Sequence, residues 1–280
     1  MLDILTFLEE EGVDKALLEG VKTFRAKFPT EAENAARVPA PEYLYYGKKT
    51  WELALAAILA GKNLLLAGPK ATGKNVLSEN LGALFGRPVW NVSFHINTDA
   101  SYLVGTDTYD GSKVSFRPGP IWLCAEKGGF GILDEINMAK NEALAVLHAA
   151  LDFRRSLDVP GYEKLDLRPE TRFIATMNYG YAGTRDLNEA LTSRFAVLDM
   201  PVITEENLQK LTDALSSSDD VQLNALLETV AGLTSDPAGA ALRLKAIAET
   251  AKENQIYSTA PAGMQTSVMY VYQTPGIAVE

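Results

Sequence analysis

Cysteine is almost missing. Cys124 is the only one in 280 residues, which excludes an intrachain disulfide framework and a cysteine-clustered metal centre. Histidine is nearly as scarce, with only His95 and His148, so a multi-histidine metal site is not expected. The longest apolar stretch, Leu53 to Ala60, is far below the roughly 20 residues that a membrane-spanning helix needs. The start of the chain, Met1-Leu2-Asp3-Ile4 followed by Glu9-Glu10-Glu11, lacks the basic region of a signal peptide. A soluble, cytoplasmic protein without membrane insertion is expected. Positive charge is also in deficit: 26 Lys and Arg against 36 Asp and Glu leave a net charge of −10. That field repels phosphate backbones and argues against nucleic acid as a partner. Apolar residues, by contrast, make up 47% of the chain, enough for one large domain and a smaller one.

Within this background one stretch carries specific chemistry. Asn63-Leu64-Leu65-Leu66-Ala67 feeds Gly68-Pro69-Lys70-Ala71-Thr72-Gly73-Lys74-Asn75, an apolar run entering a G-x-x-x-x-G-K loop. Such a loop cradles the phosphates of a nucleoside triphosphate. Gly68 and Gly73 permit backbone conformations in which successive N–H groups converge on an anion. Lys74 supplies a point charge for the β- and γ-phosphates, and a helix starting near Asn75 turns its positive end toward them. Val76, Leu77, Leu81, Leu84 and Phe85 recur at helical spacing and supply the strand–loop–helix context. The candidate nucleotide-binding residues are Gly68, Pro69, Ala71, Thr72, Gly73, Lys74, Asn75 and Val76. Asn75 stands where a Ser or Thr hydroxyl normally ligates Mg²⁺; its amide oxygen is also a hard neutral ligand.

Along the chain, strand-like and helix-like patterns alternate. Residues 1 to about 38 read as a separable helical segment: Leu17, Val21, Phe24 and Phe28 share one stripe, and Pro39-Ala40-Pro41 marks a boundary. A helix is expected over Thr50–Ala60. Strands are expected at Leu64–Ala67, Val89–Phe94, Phe130–Leu133, Phe173–Met177 and Ala196–Met200. A further helix, over Ala139–Leu151, has Leu144, Leu147 and Leu151 facing one way. Alternation of this kind implies an α/β fold with a mostly parallel sheet covered on both faces. Two inserts near 101–120 and 153–170 read as hairpins, turning at Tyr109-Asp110-Gly111-Ser112 and Val159-Pro160-Gly161-Tyr162. From residue 204 to 280 the pattern is helical, and it becomes atypical from 254: no charged residue occurs between Asn254 and Val279.

Three further constellations complete the chemistry. Gly129-Phe130-Gly131-Ile132-Leu133-Asp134-Glu135 is an apolar strand that ends in paired carboxylates, where open α/β sheets bind their ligands. Asp134 suits Mg²⁺, directly or through water, and Glu135 suits polarising the water that attacks a γ-phosphate. Phe173-Ile174-Ala175-Thr176-Met177-Asn178 ends in an amide that could orient the water or contact the γ-phosphate. Arg194, in Leu191-Thr192-Ser193-Arg194-Phe195, sits at a helix-to-strand junction and could stabilise charge developing on a transferring phosphoryl group. Cys124 beside Trp122 and Leu123 reads as a small buried hydrophobe, His148 as a packing or surface residue, and Glu126-Lys127 as a solvated helix end.

In order and spacing, G-P-K-A-T-G-K-N, I-L-D-E, A-T-M-N and T-S-R-F resemble the Walker A, Walker B, sensor 1 and arginine-finger motifs of AAA+ ATPases. The two hairpin inserts resemble those of the MoxR-like branch, which includes the CbbQ, NorQ and gas-vesicle GvpN types within the dynein-related AAA group. The resemblance covers residues 39–203. It implies a P-loop NTPase αβα sandwich with a five-stranded sheet and a small helical lid. It also implies Mg²⁺-dependent ATP hydrolysis and a homo-oligomeric ring, usually hexameric, in which Arg194 acts on the neighbour's ATP. Gly183-Thr184-Arg185 resembles a second arginine motif of such rings, which makes Arg185 a further candidate. Family members remodel or mature protein partners, often with a von Willebrand A-domain companion. Two departures stand out. One is Asn75. The other is the lack of an arginine near Ala262, where the family's lid supplies one; Arg243 is the last arginine in the chain.

The rival expectation is a nucleotide-gated assembly module with little or no hydrolysis. A DNA-directed motor is opposed by the acidic balance, and a GTPase by the absence of an N-K-x-D motif.

Overall fold

Leu64, Leu65, Leu66 and Ala67 present apolar groups to both sides of the chain, which suits a strand covered on two faces. In the computed structural model, which describes residues 3–70, 72–109, 111–179 and 187–201, they form the centre of a strand buried along its whole length. The elements run in the order α1 (Ile4–Glu10), α2 (Lys15–Lys27), α3 (Lys48–Leu59), β1 (Asn63–Gly68), α4 (Lys74–Leu84) and β2 (Val89–Ser93). Next come α5 (Ala100–Val104), the hairpin β3 (Gly105–Tyr109) and β4 (Val114–Pro118), α6 (Pro120–Lys127) and β5 (Phe130–Asp134). They are followed by α7 (Asn141–Leu144), α8 (His148–Leu151), the hairpin β6 (Ser156–Leu157) and β7 (Leu165–Asp166), β8 (Arg172–Asn178), α9 (Glu189–Thr192) and β9 (Phe195–Asp199).

The main sheet has the order β2-β5-β8-β1-β9. Parallel registers pair Asn63 with Phe195, Val89 with Phe130, and Phe130 with Arg172. All five expected strands are present, as is the expected αβα layering. Neighbouring residues of one strand go to opposite cores. Leu64, Leu66, Ile132 and Ile174 join one apolar cluster, whereas Leu65, Leu133 and Phe173 join the other. A sheet wrapped by helices on both faces requires that alternation.

The N-terminal helices, expected as a separable segment, share the first cluster. Leu8, Leu18, Val21 and Phe24 are buried there with Trp51, Phe85 and Phe130, and the rings of Phe24 and Phe85 meet edge to face at 5.1 Å. The apolar stripe of α2 is thus covered by the αβα layer, and Pro39-Ala40-Pro41 does not separate the two. The helix expected over Ala139–Leu151 is interrupted. A 3₁₀ turn at Ala145–Leu147 lies between α7 and α8, yet Leu144, Leu147 and Leu151 all remain buried. Lys127 is not merely solvated, because its Nζ meets Glu33 at 3.0 Å. Cys124 is fully buried, as expected of a small hydrophobe.

The first insert opens with the short helix α5 before its hairpin, and the second is a hairpin of two residues per strand. The two inserts touch. The Tyr162 hydroxyl donates to Asp107, and the Tyr162 ring lies 4.7 Å from that of Phe116, which packs 5.0 Å from Trp122. Beneath the sheet, the fully buried Arg87 donates from Nε to the Gly128 carbonyl at 3.0 Å and from Nη1 to that of Phe28 at 2.6 Å. Glu170 stands 3.7 Å from its Nη2. The lid expected over 204–280, including Arg243 and Ala262, lies outside the described residues.

Candidate nucleotide-binding and hydrolysis site

In this sheet order β1 is flanked by β8 and β9, and the chain crosses from β1 to the far edge at β2 before working back. Open α/β sheets bind ligands at the carboxyl edge of the strands beside such a reversal. Asp134 and Glu135 leave β5, and Asn178 leaves β8, at that same edge, because Leu133 pairs with Ala175 in parallel register.

The carboxylates are held by specific partners. Asp134 Oδ1 accepts from the Thr176 hydroxyl at 2.6 Å, and Asp134 Oδ2 accepts from Asn75 Nδ2 at 3.5 Å. Glu135 has a φ of 54° and a ψ of 44°, the left-handed region that a non-glycine residue enters only at a cost of roughly 1–2 kcal/mol. Its N–H donates to Thr176 Oγ1 at 3.0 Å. Its Oε1 accepts from Asn178 Nδ2 at 3.2 Å. The Asn178 carbonyl in turn accepts from the buried Asn137 Nδ2 at 2.8 Å.

Helix α4 begins at the same edge. Its N-cap, Gly73, is left-handed with φ +78°, and no acidic residue occupies its first turn, so its positive end is not offset by an acid in that turn. A Cβ on Gly73 would come within 3.0 Å of the Tyr45 ring. That ring's backbone is itself fixed: Tyr45 N–H donates to Asn80 Oδ1 at 2.9 Å and its carbonyl accepts from Trp51 Nε1 at 2.8 Å. Lys74 is 6% exposed. Burial pushes its ammonium down to about 8, against the opposing pull of Asp134 and Glu135. Val76 is half-buried and packs on the first core cluster. In the stretch 68–72, the Thr72 hydroxyl donates to the Pro69 carbonyl at 3.0 Å. Ala71 lies outside the described residues.

The donor set fits a nucleotide-borne Mg²⁺. Asp134 and the Asn75 amide offer hard oxygens, and Mg²⁺ is usually held by one or two protein ligands plus phosphates and water. Among the described residues no group of three or more His, Cys, Asp or Glu could hold a metal unaided.

Arg194 is not brought to this site. It precedes Phe195, which pairs with Asn63 at the start of β1, and Asn63 Oδ1 accepts from the N–H of Phe173 near the start of β8. That is the opposite edge of the sheet from Asp134, a strand length away at about 3.3 Å per residue. There Arg194 donates from Nε to the His148 carbonyl at 3.2 Å and reaches Asp152 Oδ2 at 3.3 Å. Asp152 also accepts from Arg154 at 2.7 Å, and with that bond as the leading cause its carboxyl falls to about 2. Arg185 lies outside the described residues. His95 is exposed, its ring Nδ1 accepting from the N–H of Asn97.

Sequence reasoning missed Thr176, Asn137 and Tyr45. A signal existed for Thr176: it stands two residues before Asn178 and so shares its face of the strand. Its partners, 41 and 42 residues away, emerge only from the pairing of β5 with β8.

A sequence profile of the AAA domain, dynein-related subfamily, matches residues 63–195. The same span holds the glycine-rich loop, the paired carboxylates and Arg194. The chain belongs to this AAA+ ATPase family. Its relatives include the uncharacterized protein YojN of Bacillus subtilis, 38% identical over 176 residues. That match covers 61% of this chain and 58% of YojN, so the chain matches little more than half the length of that relative. An uncharacterized protein of Staphylococcus haemolyticus is 32% identical over 201 residues, covering 70% of this chain and 75% of that protein. A solved Cytophaga hutchinsonii structure, named only provisionally as an ATPase, covers 93% of this chain and 98% of its own at 16% identity. Its TM-score is 0.47. Among the described residues of this AAA+ protein, no helix is long and apolar enough to cross a membrane.

Proposed function

We propose that this AAA+ protein hydrolyses ATP with Mg²⁺, as a cytoplasmic ring of the MoxR-like kind that remodels or matures a protein partner. The supporting observation is the convergence of Asp134, Glu135, Asn178, Asn75 and Lys74 at one sheet edge, joined by hydrogen bonds from Asn75 to Asp134 and from Asn178 to Glu135. In this reading Gly68, Pro69, Ala71, Thr72, Gly73 and Val76 shape the phosphate loop, and Lys74 meets the β- and γ-phosphates. Asp134 would hold Mg²⁺, joined by Asn75 through Oδ1 once its amide turns from the Nδ2 bond to Asp134, and the ion would neutralise charge on the phosphate oxygens. Glu135 takes the proton of the attacking water. Asn178 passes from Glu135 to the γ-phosphate or the water, which frees the carboxylate as the site fills.

Arg194 lies at the sheet edge opposite to its own chain's Asp134 and Glu135, which supports its use in a neighbour's site and hence a ring, by resemblance a hexamer. Arg185 is a second candidate for that neighbour's site. A von Willebrand A-domain companion is the partner type that the resemblance suggests. A second reading, a nucleotide-gated assembly module, is favoured by Asn75 standing in place of a hydroxyl.

Phosphate release with ATP and Mg²⁺, measured across protein concentration with mass determined in parallel, separates the two. Hydrolysis predicts turnover that rises with assembly and is lost in both Glu135→Gln and Arg194→Ala. Mixing these two variants restores a fraction of it, because each supplies what the other lacks. Tight ATP binding and assembly without turnover would leave only the second reading.

A further inference from the structure

We infer that Thr176 is a positioning residue that sets both carboxylates of the site through one hydroxyl. The inference rests on the hydrolysis reading above. Thr176 is 1% exposed, and its Oγ1 has two polar partners. It donates to Asp134 Oδ1 at 2.6 Å and accepts from the Glu135 N–H at 3.0 Å. A hydroxyl carries one proton and two lone pairs, so both bonds can form at once, and donation to Asp134 fixes the direction of the O–H.

Each bond has a separate consequence. The bond to Asp134 Oδ1 at 2.6 Å, together with the longer one that Oδ2 accepts from Asn75 Nδ2 at 3.5 Å, orients the carboxylate and leaves its remaining lone pairs available to a cation. The carboxylate is therefore held in one rotamer before any nucleotide arrives. The bond from the Glu135 N–H stabilises the left-handed turn at that residue, whose φ is 54°. That turn aims the Glu135 side chain back toward Asn178 on β8, where Oε1 accepts its amide. Without it Glu135 would relax toward ordinary backbone angles and carry its carboxylate away from the site. The arrangement depends on sheet register: Leu133 pairs with Ala175, so the next residue on each strand places Thr176 beside Asp134. Neither Val nor Ala could serve in its place, since neither donates or accepts.

The test compares wild type, Thr176→Val and Thr176→Ser in two measurements. The first is affinity for a fluorescent ATP analogue, in Mg²⁺ and in EDTA; the second is steady-state turnover. Positioning predicts equal affinity in EDTA for all three proteins, because phosphate contacts to the loop are untouched. In Thr176→Val the gain in affinity on adding Mg²⁺ falls, the Mg²⁺ concentration for half-maximal activity rises, and kcat drops, each by about 10- to 100-fold. Thr176→Ser keeps the hydroxyl and recovers most of each quantity, although it loses a buried methyl. If Ser behaves like Val, packing rather than hydrogen bonding matters and the inference is overturned. The same holds if Val leaves the Mg²⁺-linked affinity unchanged. A wild type that shows Mg²⁺-linked affinity but no turnover would sink the hydrolysis reading alone, and the affinity comparison would still decide the role of Thr176. A wild type with no Mg²⁺-linked affinity would overturn both.

Discussion

Lys74 should make the nucleotide-free protein less stable than it would be with an apolar side chain there, and the deficit should vanish at high pH. The lysine is buried at the head of α4, and its ammonium falls from 10.5 to about 8, with burial as the leading cause. At about 1.4 kcal/mol per pKa unit, that depression corresponds to about 3 kcal/mol held against the folded state. The direction follows from proton counting. Below pH 8 the lysine is charged in folded and unfolded chains alike, and the whole cost is present. Between 8 and 10.5 the folded chain has released the proton while the unfolded chain still holds it, so stability rises with pH. Above 10.5 both are neutral and the cost is gone.

Urea unfolding of wild type and Lys74→Met without nucleotide, at pH 7 and near pH 10, isolates this contribution, since other titrations are common to both proteins. The Met variant should be more stable at pH 7 by up to about 3 kcal/mol, less whatever contacts the ammonium makes, and the gap should narrow by about 2 kcal/mol at the higher pH. A gap independent of pH would refute the reasoning, as would a Met variant less stable at pH 7. The site's purpose would appear in the converse experiment. Wild type should gain about 2.7 kcal/mol at ATP concentrations near 100 times the dissociation constant, and the Met variant should gain far less.

Gly73→Ala should abolish most nucleotide-linked stabilisation, because φ +78° and the Tyr45 ring 3.0 Å from the new methyl force the cap to move; unchanged ATP affinity by calorimetry would contradict this. Arg87→Leu should lower unfolding free energy by about 3–5 kcal/mol, as it strips the buried Glu170 of its ion-pair partner and the Gly128 and Phe28 carbonyls of their donor. Adding Glu170→Leu should recover part of that loss in the same urea titration. Tyr162→Ala removes both the bond to Asp107 and the ring contact with Phe116. Trypsin cleavage at the exposed Lys113 should then speed up severalfold while Tm moves by only a few degrees.

The strands β1, β5 and β8 were legible as apolar runs because a strand covered on both faces is filled mostly by apolar side chains, and the edge strands β2 and β9 because their buried positions are apolar. The phosphate loop was legible because its glycines and lysine are demanded by local geometry within a few residues. The interruption between α7 and α8 was not, since a 3₁₀ turn can bury Leu144, Leu147 and Leu151 as well as a continuous helix does. The docking of α1 and α2 was hidden as well: an amphipathic stripe shows that a face must be covered, not what covers it. For Arg194, a place at a helix-to-strand junction was legible, but only the register of β9 on β1 placed it at the edge away from Asp134.

By itself, then, the sequence determined the αβα layering, the P-loop and the identities of the chemical groups, all set by local periodicity and short-range geometry. Tertiary structure alone decided which groups meet. Thr176 reaches Asp134 and Glu135, Asn137 reaches Asn178, and Tyr45 walls Gly73, because parallel pairing and helix packing bring together residues about 30 to 40 positions apart. No local pattern encodes such meetings. They follow from strand order and register, which are fixed only when both faces of the sheet are buried at once.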